Sequence, residues 1–489
     1  MPQNSLSLYP KPIKFGTDGW RGILGDDFTV DNLKTVSIAA AQELHYRSKK
    51  DRKKQIIVGY DRRFLAKEMA EVVASAIRGC GLQPLMSDQP VPTPACSLAA
   101  LQLNCLGALI VTASHNPPEW LGLKIKGPEG GSVDESFTES VQRRLLVGGI
   151  TAPIKARNKL FNCRSNHLNT IKEKFDIKNI ISTLKDLKLK IFVDPMHGSA
   201  SNCISDLFGE DGKGLIHEIR TNEDPLFGGN PPEPVEKYLS AIIQKVCECS
   251  SANEKVMGLI FDGDGDRLAA VDEFGRYCST QLLMPLLIDH MAKSKKEKGC
   301  VIKTVSCCDL MSSIATNYGL EVLEKPVGFK YIAKEFAVRD VLIGGEESGG
   351  IGFGGHIPER DGIYTALVIL EAIAQDKTLL GAKLNSLQEK FGSVNYERMD
   401  LKLANSKFKE KIEYELINNP PTQIGDYIIR EISLIDGVKL RIDDNFWIMF
   451  RFSGTEPLLR IYCEAPDKNE IKKSLLWAEE YILNIQNHE

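Results

Sequence analysis

The chain has 489 residues, 43% apolar and 26% charged, with a formal net charge of −4. One hydrophobic core does not grow to that size, so three or four domains are expected, and the charge balance excludes a global basic field that would recruit nucleic acid. Twelve cysteines without a CxxC spacing exclude a disulfide frame or zinc site. Neither a leader-like segment in Met1 to Pro10 nor a run of about 18 apolar residues occurs, so a cytoplasmic protein without membrane contact is expected.

Helical periodicity over Val30 to Tyr46 and Ala66 to Arg78 alternates with strand-like runs at Gln55 to Gly59 and Gly107 to Val111. That alternation predicts α/β layers with mixed, largely parallel sheets. The strand ending at Val111 runs into Thr112-Ala113-Ser114-His115-Asn116-Pro117. A serine at the carboxyl end of a strand, beside His115 and braced by a Pro-Pro pair, is a rigidly presented hydroxyl that can carry a covalent group; an ordinary polar turn has the same composition.

After a charged helical stretch around Lys172 to Lys188, a second α/β unit opens at Leu187 to Val193. Its apolar run Val256 to Phe261 ends in Asp262-Gly263-Asp264-Gly265-Asp266-Arg267. Three carboxylates separated by glycines can converge on one hard cation, here magnesium, and leave room for an outside oxygen. With Glu273 in the twelfth position the spacing imitates an EF-hand, but Arg267 stands where that loop needs glycine, and Leu268 to Val271 with Asp272 to Gly275 reads as a strand and its turn.

A third unit follows Cys278, with strands expected at Cys300 to Val305 and Val341 to Gly344. The next loop is Gly344-Gly345-Glu346-Glu347-Ser348-Gly349-Gly350. Glu346 and Ser348 on such a backbone suit vicinal hydroxyls, as on a sugar ring, although a plain glycine linker looks similar. From Asn395 a small α+β segment of roughly 90 residues is expected, closing on an amphipathic helix at Asn469 to Gln486. Between its strands Phe446 to Phe450 and Leu459 to Cys463, Arg451, Ser453 and Thr455 with the open backbone of Gly454 compose a phosphate nest or a polar hairpin turn. The expected boundaries are 1–183, 184–277, 278–394 and 395–489.

Together these loops resemble the α-D-phosphohexomutase family, the phosphoglucomutases and phosphomannomutases. Phe15-Gly16-Thr17-Asp18-Gly19-Trp20-Arg21-Gly22 is similar to the family's amino-terminal signature, and Val193 to Gly198 and Gly228 to Pro234 are similar to parts of its second domain. The resemblance implies three α/β domains around a central cleft and a smaller mobile fourth. It implies a phosphoserine at Ser114, Mg2+ held by Asp262, Asp264, Asp266 and Ser114, and glucose 1,6-bisphosphate as intermediate and activator. Lys124 and Arg21 match positions that the family uses near the reacting oxygen, with His115 adjacent. An arginine rarely loses its proton, so the base is expected at Lys124, with Lys126 as competitor, and Arg21 and Arg267 as cationic contacts. The partner expected is a hexose phosphate, and a monomer is expected rather than an oligomer.

Two departures bear on the substrate. Leu121-Gly122 stands where the family usually has Asn-Gly, and Gly349-Gly350 where many bacterial phosphomannomutases have Gly-His. The run through His356-Ile357-Pro358-Glu359-Arg360-Asp361-Gly362, and Gly328-Phe329-Lys330, look more like the phosphoglucomutase branch. Lys330, His356 and Arg360 therefore join the expected sugar site, with His356 or Arg360 replacing the absent histidine as second proton carrier. Interconversion of glucose 1-phosphate and glucose 6-phosphate is expected; a phosphomannomutase, a dual-specificity enzyme or a phosphoglucosamine mutase are the alternatives. A non-catalytic sensor would be expected to lose the serine, an aspartate or the clamp arginine, all present here, and a phosphatase needs no second phosphate clamp.

Overall fold

The computed structural model describes residues 13–147, 154, 156–403, 406–452 and 458–487. The chain divides into two compact units, Met1–Tyr277 with Gly350–Ala374, and Cys278–Gly349 with Gln375–Glu489.

In the first unit a seven-stranded sheet runs in the order Phe15–Gly16, Gly19–Ile23, Trp120–Lys126, Gly107–Val111, Gln55–Tyr60, Gln83–Ser87, Lys159–Phe161. Gln55–Tyr60 pairs in parallel with Gly107–Val111 and Gln83–Ser87, whereas Gly107–Val111 and Trp120–Lys126 form an antiparallel hairpin. The sheet is covered on both faces, which is why its strands read as continuous apolar runs. Ile56, Val58, Leu109 and Val111 pack with the helices Val30–Arg47 and Ala66–Gly79. Their neighbours Ile57, Ala108 and Ile110 face the other way, onto Ala95 and Ala99 of the helix Thr93–Gln102. A second sheet places Lys255–Phe261 between Leu189–Asp194, parallel, and Leu268–Val271, antiparallel.

The charged stretch expected as one helix is two, Cys163–Lys174 and Ile177–Asp186. Asp176 ends the continuity because its side chain caps the second helix by accepting from the Asn179 amide.

The second unit contains parallel strands in the order Val322–Lys325, Cys300–Thr304, Val341–Gly345. It also contains an antiparallel sheet ordered Asn395–Lys402, Leu458–Ala465, Phe446–Phe452, Val438–Asp443, Glu431–Ser433. The helix Lys468–Asn487 lays Ile471, Leu475, Ala478 and Ile482 onto that sheet, one face at helical spacing. The observed class is mixed α/β, as the alternation predicts. Among the described residues no helix is long and apolar enough to cross a membrane.

Candidate active site

The hairpin Gly107–Val111 and Trp120–Lys126 carries Ser114 at its turn. Ser114 is 1% exposed and its backbone sits in the left-handed region, φ 53°, a conformation that non-glycine residues adopt only when their surroundings impose it. Those surroundings come from the end of the neighbouring strand. Arg63 donates through one guanidinium nitrogen to the carbonyls of Ser114 (2.7 Å) and Asn116 (2.6 Å), and through the other to Pro117 (2.8 Å) and Trp120 (3.1 Å). Asp61 accepts from the Thr112 hydroxyl (2.6 Å), whose oxygen accepts from the Ser114 amide (2.9 Å). Burial pushes the Asp61 carboxyl up to about 6 against the opposing charge of Arg63.

The Asp262 loop leaves the strand Lys255–Phe261 and returns at once as Leu268–Val271. Strands flank it, which rules out the EF-hand arrangement. The serine loop lies directly on it: a Cβ at Gly263 would stand 2.5 Å from the Ser114 carbonyl oxygen, so only glycine permits this approach. Ser114 Oγ donates to Asp262 Oδ2 at 2.8 Å. Asp262, Asp264 and Asp266 are fully buried and offer oxygens within 4.8 Å of one another. Asp264 Oδ1 and Asp266 Oδ1 are buried and have no hydrogen-bond partner among the described residues. Two orphaned anionic oxygens converging beside a third carboxylate fit a hard divalent cation.

Cations crowd the other oxygens. Lys124 Nζ lies 2.7 Å from Asp264 Oδ2, 2.7 Å from Asp266 Oδ2 and 3.0 Å from Asp18 Oδ2. Burial opposes its charge, but Asp18, Asp264 and Asp266 outweigh that and hold it well above the usual lysine value. Lys126 instead binds Asp18 Oδ1 (2.8 Å), Ser132 Oγ (2.8 Å) and Glu359 Oε2 (2.6 Å). Of the two lysines, Lys124 is the one on the carboxylate triad. Asp262 is raised, by burial and then by Asp266 and Asp264, whereas Lys124 and Thr93 keep Asp264 low in spite of burial.

Arg21 donates to Asn116 Oδ1 at 2.7 Å, and burial lowers its pKa. His115 Nδ1 is 3.4 Å from Ser114 Oγ and is held neutral, first by burial and then by Arg267 and Arg21. Arg267 Nε is 4.0 Å from Asp262 and 3.9 Å from Asp266. Arg360 joins the triad, with Nη2 2.9 Å from Asp266 Oδ2 and 2.5 Å from Asp18 Oδ2.

His356 turns onto Asp361 Oδ2 (2.8 Å), which it shares with His167 (2.6 Å), and stacks on Tyr364 at 4.4 Å. These three also gather metal-capable atoms, but His356 Nδ1 is buried and has no hydrogen-bond partner among the described residues. A metal-bound imidazole normally donates from its second nitrogen, so the set reads as an internal hydrogen-bond cluster.

Glu346, Ser348, Lys330 and Arg451 belong to the second unit. Glu346 is 4% exposed at the end of the strand Val341–Gly345, and Lys330 lies in the first turn of the helix Phe329–Phe336. Arg451 donates to Asp436 Oδ2 at 2.7 Å, and Asp436 raises its pKa although burial works the other way. Ser453, Gly454 and Thr455 lie outside the described residues.

Asp18, Asp61, Arg63, Thr93, Thr112 and Glu359 were not singled out from sequence. Asp18 stands inside the Thr17-Asp18-Gly19 signature, and Asp61-Arg62-Arg63 closes a predicted strand adjacent to the one bearing Ser114. Those placements were the available signals.

A hydroxyl on a left-handed turn, an acidic triad and a buried lysine compose one site. Comparison with known proteins identifies the family. Models of phosphoglucomutase/phosphomannomutase alpha/beta/alpha domains I, II and III match residues 12–147, 165–275 and 280–391, and that of the C-terminal domain matches 403–475. The chain belongs to the phosphoglucomutase/phosphomannomutase family, whose members are isomerases.

A phosphoglucomutase/phosphomannomutase of Thermococcus kodakarensis is 26% identical over 468 residues, 94% of this chain and 96% of the relative. A phosphoglucosamine/phosphogalactosamine mutase of Sulfurisphaera tokodaii is 28% identical, covering 93% and 96%. A crystal structure of a Thermus thermophilus protein assigned as phosphomannomutase superimposes with TM-score 0.83 at 28% identity, covering 97% of this chain and 100% of that one.

Proposed function

We propose that the protein interconverts the 1- and 6-phosphates of a hexose through a phosphoserine at Ser114. The observation that carries this reading is the Ser114 hydroxyl at 2.8 Å from Asp262, inside a buried triad with Lys124. Ser114 carrying a phosphoryl group donates it to the free sugar hydroxyl, giving a hexose bisphosphate. The sugar then turns over and returns its other phosphoryl group to Ser114. Lys124 holds its proton in the resting site and is placed to give it to a departing oxygen, taking one back in the reverse half. Arg21 and Arg267 supply fixed positive charge, and His115, neutral, orients the serine hydroxyl. Asp262, Asp264 and Asp266 are the residues that would hold Mg2+, which when bound supplies charge neutralisation for phosphoryl oxygens. Glu346 and Ser348 are assigned to ring hydroxyls and Arg451 to the phosphate that is not reacting.

The Gly349-Gly350 run points to glucose phosphate, but names among the full-length relatives favour glucosamine phosphate, with glucose phosphate second. One coupled assay on glucosamine, glucose and mannose 1-phosphates tests both levels. Turnover of at least one, fastest with glucosamine, is expected. No turnover of any would overturn the mutase reading, and a clear preference for glucose would overturn the substrate order.

A further inference from the structure

The segment from Gly350 to Gly362 is fixed to the Asp262 loop at both ends. Gly350 bridges Arg267 in antiparallel fashion, and the Gly362 amide donates to the Gly265 carbonyl at 3.2 Å. Between them Arg360 reaches Asp266 and Asp18, the same carboxylate oxygens that Lys124 occupies. Gly350 lies outside the left-handed backbone region, so conformational freedom does not explain a glycine here. Space does: a Cβ at 350 would stand 2.2 Å from Arg360 Cδ and 2.9 Å from Cγ.

We propose that Gly350 and Arg360 act as one unit, in which the bare backbone at 350 seats the Arg360 stem and Arg360 so seated is the positioning residue for Lys124. The proposal rests on the mutase reading of the site. Arg360 and Lys124 share Asp18 Oδ2 and Asp266 Oδ2, so the guanidinium partly neutralises both carboxylates and sets where the ammonium settles between them. It also reduces the negative charge that Asp266 offers to a cation.

The experiment compares full-length wild type with Gly350→Ala, Arg360→Ala and the double variant, reading Mn2+ affinity by calorimetry and hexose phosphate turnover. Arg360→Ala should tighten Mn2+ binding roughly 3- to 10-fold, since a unit positive charge beside Asp266 is gone. It should lower kcat roughly 10- to 100-fold with KM little changed, because Lys124 is no longer aimed. Gly350→Ala should reproduce both effects by pushing the stem aside. In the Arg360→Ala background the alanine at 350 has room and should add less than about twofold. A double variant that folds where Gly350→Ala alone does not supports the same pairing. Equal, additive costs of Gly350→Ala in both backgrounds, or weaker Mn2+ binding in Arg360→Ala, would overturn it. Because the coupling is read on metal affinity, a wild type inactive on every hexose phosphate overturns the mutase reading and leaves the pairing to be decided by the titration.

Discussion

Ser114 combines two properties that separate easily by mutation. Its backbone is held from outside, by Arg63 and Thr112, and its hydroxyl makes one short hydrogen bond, to Asp262, with a longer contact to His115. Removing the oxygen should therefore cost about 1 kcal/mol of stability, the usual value of one hydrogen bond. The cost to catalysis should be of a different order, roughly 1000-fold or more, because the covalent relay loses its only carrier. Ser114→Ala is expected to melt near the wild type, to show no phosphoryl group at position 114 by intact-mass and peptide analysis, and to turn over nothing measurable. An active Ser114→Ala would remove the relay.

Lys124 shows what residue type alone leaves open. A lysine acts as a base only where its surroundings lower its pKa, whereas Asp18, Asp264 and Asp266 here outweigh burial and keep its proton on. Asp18 lies over a hundred residues away in sequence and Asp264 and Asp266 farther still on the other side, so no local pattern announces the group they form.

Elements with two buried faces or one clean stripe were legible in the sequence. The strand Gly107–Val111 and the helix Val30–Arg47 follow from uninterrupted apolar runs and helical spacing, and the final helix from its apolar stripe. The triad was legible because its three carboxylates come from one loop. The antiparallel return Trp120–Lys126 was not, because it carries Lys124 and Lys126, charges that a strand buried to this depth normally lacks. Only the opposing carboxylates make those lysines tolerable, and they come from other elements.

The same holds for the Asp61–Arg63 segment, whose role appears only once its strand lies beside the serine strand. It gives a prediction at this scale. Thr112→Val keeps the shape of the side chain but removes the oxygen that receives the Ser114 amide and the hydroxyl that donates to Asp61 Oδ2, leaving that carboxylate the Arg63 amide on Oδ1. We expect kcat to fall about 10- to 100-fold with KM within twofold, since about 1 Å of misplacement costs that much. Restored turnover in Thr112→Ser, which returns the oxygen, would distinguish this from general loosening; an unaffected Thr112→Val would exclude the segment from positioning Ser114.

At the scale of the molecule, buried carboxyls pull stability in two directions with pH, and the second unit holds one of each kind. Asp309 is kept below the usual carboxyl value because Lys303 and Arg441 outweigh its burial. Its contribution is present above the unfolded carboxyl range and is lost as acid protonates it. Glu464 behaves oppositely. It accepts from the Asp309 amide (2.9 Å) and the Trp447 indole (2.7 Å) through one oxygen, while the other is buried and has no hydrogen-bond partner among the described residues. Burial, and then the charge of Asp309, push it from 4.5 up to about 7. A carboxyl raised by folding stabilises below its unfolded value and loses that contribution as pH rises through the folded one. The second unit should therefore be most stable at mildly acidic pH and weaken by up to about 3 kcal/mol towards neutrality, the shift converted at 1.36 kcal/mol per unit. Glu464→Gln keeps an oxygen on both donors and cannot ionise. Urea unfolding followed by tryptophan fluorescence, which includes Trp447 in this core, should show wild-type stability falling between about pH 5 and pH 7.5 and the variant nearly flat over the same range. If the variant falls as steeply as the wild type, Glu464 does not carry the titration and the ionic group around Asp309 must be balanced by other residues.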